Sequence, residues 1–196
     1  MASASLQDWN SRISQRLDEL EDLHQRATGT ARGRRWGTDQ FNGQLYVALV
    51  GCFQEFARSL HDEALDWLRT SGNVALVLAN NAAINRGLDS GNPHVANLDR
   101  DFSKIGLQVT QELKGRPLSQ TRLERLFRAI QLRNGIAHGD QSQLLIAAST
   151  QPPGRPAVPT MSSYRTHRSA LNGLARDLDG TVATHLGSLL GVPVPW

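Results

Sequence analysis

Arg133, Asn134 and His138 are the residues whose types and spacing offer chemistry. The apolar positions Leu123, Phe127 and Ile130 follow a helical stripe, and its next steps land on Arg133 or Asn134 and then on Ala137 or His138. Polar side chains therefore stand where core residues belong. Burying an Arg, an Asn and a His without partners is costly, so they are either satisfied structurally or used. An imidazole ordinarily titrates near pH ~6.5 and can take or give a proton near neutrality. A guanidinium stays cationic and can brace negative charge as it builds in a transition state.

The elements that must position these residues follow from apolar periodicity. Leu6, Trp9, Ile13, Leu17, Leu20 and Leu23 recur at three- or four-residue steps and predict an amphipathic helix over residues 4–27. Residues 29–38 have no periodicity and hold Arg32, Arg34 and Arg35 beside Trp36, which reads as a basic connector, either solvated or in contact with a polyanion. Phe41, Leu45, Leu49, Cys52, Phe53, Phe56, Leu60, Ala64 and Leu68 mark a long central helix over 39–70. Val74, Val77, Leu78, Ile84 and Leu88 suggest a third helix, Asn97 to Leu113 a short fourth, and Ser119 an N-cap for a fifth that starts near Gln120 and leads into the motif. The Pro-rich stretch 149–160 reads as a loop, and a last helix spans Ser163–Leu190. Only Gln143–Ala148 passes as a short strand. The expectation is one all-α domain over residues 1–196, an antiparallel helical bundle with a core at 39–190 and an additional N-terminal helix.

The pattern Arg133-Asn134-Gly135-Ile136-Ala137-His138 resembles the Arg-x4-6-His signature of HEPN domains, with a polar residue directly after the Arg. The preceding Leu-Glu-Arg-Leu-Phe-Arg-Ala-Ile-Gln-Leu, the following Gly139-Asp140 and the early apolar helix 45–60 extend the likeness to the RiboL-PSP type over roughly residues 41–186. The resemblance implies a metal-independent endoribonuclease, commonly part of toxin–antitoxin, abortive-infection or other antiviral systems, with a possible antitoxin or defence protein as partner. In that role His138 would exchange protons with the 2′-hydroxyl or the leaving 5′-oxygen, Arg133 would brace the phosphate, and Asn134 would orient either. The products would be a 2′,3′-cyclic phosphate and a 5′-hydroxyl, with no cofactor. Arg128 joins Arg32, Arg34 and Arg35 as a candidate RNA contact. Similar proteins often carry an acid in the long helix, and Glu55, in a strip with Gly51, Cys52 and Ser59, is the candidate to pair with the motif Arg or His; a structural Glu is the alternative. Some HEPN toxins have a Tyr two positions after the His that a partner nucleotidyltransferase modifies, but Asp140 stands there.

Five residues on a straight helix separate Arg133 and His138 by about 140°, whereas Asn134 and His138 share a face. Three arrangements resolve this: an irregularity at Gly135, an Arg that reaches round, or two chains that pool their motifs in a homodimer. HEPN relatives generally dimerise in the last way.

Composition excludes other classes. The single Cys52 allows neither an internal disulfide nor a Cys-based metal cage, and no HExxH or Cys/His spacing suggests a metal. There is no secretory N-terminus and no apolar run of membrane-spanning length, so a reducing cytoplasm is expected. The net charge of +3 is the excess of 21 basic over 18 acidic residues, and of the basic ones only Lys104 and Lys114 are Lys. That bias suits phosphate binding or reflects composition alone. Two rivals remain: a non-catalytic HEPN-like module that binds RNA or a protein, and a plain helical interaction protein whose Arg133 and His138 form a structural network.

Overall fold

In the computed structural model, which describes residues 1–29, 38–148, 159–193 and 196, every regular element is helical. Helix α1 (Ala4–Asp8) starts at Ser3, whose hydroxyl accepts from the Leu6 N–H. Its free backbone donors on Ala4 and Ser5 reach the carboxylate of Glu63 at 2.9 and 3.0 Å, an anion placed at the positive end of a helix. A π-helical turn (Trp9–Ile13) joins α1 to α2 (Ser14–Thr28) without a break. The Trp9 ring meets Phe53 edge-on at 5.8 Å, and its Nε1 donates to Asn172 Oδ1 at 3.1 Å. This opening helical stretch therefore bridges the two longest elements, α3 (Thr38–Thr70) and α10 (Met161–Leu190).

The long helix α3 buries Leu45, Tyr46, Leu49, Phe53, Phe56 and Leu60 and packs on both α10 and α8 (Pro117–His138). These three helices enclose one continuous hydrophobic core. Shorter helices complete it: α4 (Asn73–Ala82), α5 (Gly87–Ser90), α6 (Val95–Ser103), α7 (Val109–Lys114) and α9 (Gln141–Ala148) each add at least one buried residue.

Several expectations change in detail. The stretch 97–113 forms two helices, α6 and α7, because the chain turns at Gly106, whose φ of 85° is the left-handed region. The possible strand Gln143–Ala148 lies within helix α9, which Asp140 caps: its carboxylate accepts from the Ser142 N–H at 2.9 Å. Helix α8 begins at Pro117, whose missing N–H costs nothing at a first helical position. Ser119 sits inside that helix and donates to Asp177 Oδ2. Leu23 and Phe41, expected in the core, are exposed; the neighbouring His24 and Asn42 turn inward, with His24 Nε2 and Asn42 Oδ1 2.7 Å apart. A satisfied polar pair thus replaces two apolar contacts between α2 and α3. The expected loop 149–160 falls mostly outside the described residues, as do Arg32, Arg34 and Arg35.

Candidate functional site

The motif occupies the last turns of α8, which stays α-helical from Pro117 through His138, so Gly135 marks no irregularity in the helix. Its purpose lies in packing. A Cβ on Gly135 would stand 2.6 Å from Leu144 Cγ and 3.1 Å from the Asp140 carbonyl oxygen. Only glycine lets α9 fold back this closely against the motif. Gly139 makes the reversal, with φ at 65°, and the Asp140 N–H closes on the Gly135 carbonyl at 3.0 Å, a Schellman-type helix end. On another face of α8, Ile136 packs against the bare backbone of Gly43 in α3. The motif helix is therefore clamped between α3 and α9.

Asn134 organises the polar groups. Its Oδ1 accepts from Asn92 Nδ2 at 2.8 Å and from Arg133 Nη1 at 3.0 Å. The long arginine side chain bends toward Asn134, which shares a helix face with His138. Asn92 is held in turn: its carbonyl accepts from Asn97 Nδ2 at 2.8 Å, and Gly87 and Gly91 leave room for that amide, which a Cβ on either would strike at under 3 Å. Asp101, fully buried, accepts from the N–H groups of Gly87 and Leu88 at 2.7 and 2.8 Å. The turn before α6 is thus fixed by a buried carboxylate before it touches the motif. The sequence pattern did not single out Asn92; the run Gly87…Gly91-Asn92 was the available signal, since glycines near an amide mark a close approach.

His138 is exposed, and no described side chain hydrogen-bonds its ring. Asp140 is engaged in capping α9. Hydrogen bonds from the Ser142 hydroxyl and from the Ser142 and Gln143 N–H groups, with help from the charge of His138, hold its carboxyl below the usual carboxylate range. The imidazole is therefore open to an incoming molecule, with the half-buried Arg133 guanidinium drawn toward its face. Arg133 and His138 make no direct hydrogen bond; the guanidinium donates to Asn134 instead.

Glu55 does not belong to this constellation. Its carboxylate is taken by Arg12 at 2.6 Å and Arg16 at 3.6 Å, and it ties the N-terminal helical stretch to α3. Gly51 beside it faces open space. The added N-terminal helical stretch thus meets α3 through Glu55, while Gly51 and Ser59 of the strip stay exposed, a junction the motif pattern did not anticipate.

The remaining charges are unevenly satisfied. Among the described residues, Arg12, Arg58, Arg86, Arg122 and Arg168 are all paired with carboxylates. Lys114, Arg116, Arg125, Arg128 and Arg133, all on α7, α8 or the link between them, make no ion pair. Arg128 lies beside Phe127 at the edge of a surface groove along α8. No cluster of three or more His, Cys, Asp or Glu side chains among the described residues has the placement to hold a metal ion, and none of the described helices is long and apolar enough to cross a membrane. No family model, curated protein or solved structure matches the chain.

Proposed function

We propose that the chain is a metal-independent endoribonuclease of the HEPN type, acting as a toxin or antiviral effector. The observation that carries this reading is the end of α8, where an exposed imidazole stands one turn from an unpaired guanidinium held by Asn134, on a helix where Arg125 and Arg128 also lack carboxylate partners. Unpaired arginines are suited to phosphate, and an unencumbered imidazole to proton transfer.

In the reaction, the 2′-oxygen of the RNA attacks the adjacent phosphorus and the bond to the 5′-oxygen breaks. His138 removes the 2′-hydroxyl proton or supplies one to the departing oxygen, and Arg133 offsets the charge on the non-bridging oxygens. One imidazole cannot do both at the same moment. A homodimer that faces two α8 ends toward one phosphate supplies a second His138, and this pairing is part of the proposal. RNA, a second copy and a regulatory protein partner are the expected interactors.

The separation of Arg133 from His138 within one chain, and the absence of a group orienting the ring, favour one second reading: a HEPN-like module that binds RNA or a protein without cutting. Purified chain incubated with total RNA, with and without EDTA, separates the two. Cleavage that survives chelation, leaves cyclic-phosphate ends and falls at least a hundredfold in His138→Ala supports the enzyme. Intact RNA in every lane, with retained RNA binding, supports the module.

A further inference from the structure

A groove of about 320 Å³ opens beside α8, floored by Val95, Leu123 and Phe127 and edged by Lys114, Gln120, Glu124 and Arg128. Its volume falls at the low end of the range for small-ligand sites, roughly 300–1,000 Å³, which suits one heterocycle rather than a partner helix. Phe127 is 44% exposed, although Leu123, Leu126 and Ile130 on the same helix are buried. An exposed aromatic ring in a groove that two unpaired cations also line matches a ligand with a flat apolar body and an anionic link.

Its place along the helix connects it to the motif. Phe127, Gln131, Asn134 and His138 step by four, three and four residues along one stripe of α8, and the rise from Phe127 to His138 is about 16 Å. A strand whose phosphate lies at His138 therefore reaches the groove a few nucleotides away, passing the unpaired bases of α8. Resting on the ribonuclease reading, we infer that this groove is a base-binding subsite: one unstacked base of the RNA lies on Phe127, with Arg128 and Lys114 on its phosphates. Glu124, which no described cation neutralises, accepts a hydrogen bond from an exocyclic amine. Adenine, cytosine and guanine carry such an amine and uracil does not, so the subsite discriminates against uracil.

The test uses the full chain carrying His138→Ala, which prevents cleavage, with short fluorescein-labelled oligoadenylate and oligouridylate followed by anisotropy. Oligoadenylate is expected to bind more tightly. Phe127→Ala weakens that binding by about tenfold, as loss of one base–aromatic stack does, and Phe127→Trp restores it. Glu124→Gln removes most of the preference between the two oligomers. Binding that is indifferent to both substitutions overturns the subsite, as does a Phe127-dependent self-association with no Phe127-dependent oligonucleotide binding. Cleavage by the chain with His138 intact reports separately on the enzyme. Cleavage whose KM ignores Phe127→Ala leaves the ribonuclease standing without the subsite. Phe127-dependent binding without any cleavage leaves the subsite standing and removes the ribonuclease.

Discussion

Asn92 Nδ2 donates to Asn134 Oδ1 across 2.8 Å, and this bond ties the turn before α6 to the helix that ends in His138. The same acceptor oxygen receives Arg133 Nη1. Asn92 is therefore a positioning residue for the guanidinium. Asn92→Ala is expected to cost about 1 kcal/mol of stability, the usual net worth of one hydrogen bond. It should lower kcat severalfold with a smaller change in KM, because it frees Asn134 to rotate and Arg133 to follow. Single-turnover cleavage together with urea unfolding measures both; an unchanged rate in a variant that has lost the bond would remove Asn92 from the site.

Gly135→Ala sets two effects against each other. Alanine favours a helix over glycine by up to ~1 kcal/mol. The new methyl, however, lies within 2.6 Å of Leu144 Cγ and close to the Asp140 carbonyl, and overpacking of this kind costs about 1–3 kcal/mol. The clash should win because the backbone contact cannot rotate away. Net destabilisation is expected, and Leu144→Ala in the Gly135→Ala background should recover part of it. A double-mutant cycle by urea unfolding reads the coupling; strictly additive losses would mean that the helices do not meet at these residues.

The stripe Leu123, Ile130 predicted the buried side of α8, and the bundle and its long helices were legible from periodicity alone. Phe127 was placed in the core because it shares that stripe, but the stripe's edge opens into the groove, and three-dimensional neighbours decide which edge is covered. His24 and Asn42 were invisible for the same reason: each is polar, and only their 2.7 Å contact makes burial tolerable. Glu55 was read against the motif because it lies in a small-residue strip and similar proteins carry an acid in the long helix, whereas Arg12 and Arg16, which hold it, come from a helix outside the matched pattern.

Glu55→Gln supplies a direct contrast with the motif. Its carboxylate neutralises Arg12 and Arg16 at a partly exposed junction, where ion pairs contribute little. RNA cleavage by this variant is expected to stay within about twofold of the parent, an outcome measured in the assay that detects the loss in His138→Ala. A drop comparable to that of His138→Ala would return Glu55 to the site.

Stability should fall as pH drops below neutrality, and His61 is a main cause. The ring is fully buried, edge-on to Phe102 at 5.1 Å, with Nε2 3.1 Å from the Asp101 carbonyl and Nδ1 without a partner. Burial pushes its pKa below the ordinary histidine value, and the Arg86 charge adds to this, against weaker opposing effects from the Asp101 carbonyl bond and the nearby Asp101 and Asp62 charges. His167, half-buried beside Tyr46, is shifted in the same direction. Below about pH 6.5 the unfolded chain binds protons that the folded chain refuses, so unfolding takes up protons and the folded state loses ground as pH falls. Above that pH both states leave the rings neutral and the contribution is complete. The slope is at most about 1.4 kcal/mol per pH unit for each histidine. His61→Gln keeps a side-chain N–H to offer the Asp101 carbonyl but cannot titrate. Urea unfolding from pH 7.5 down to 5.5 should therefore show a shallower loss in this variant than in the parent, whatever its stability at the upper end. Parallel curves would mean that His61 takes up its proton without cost in the folded chain, and that the acid sensitivity belongs to other groups.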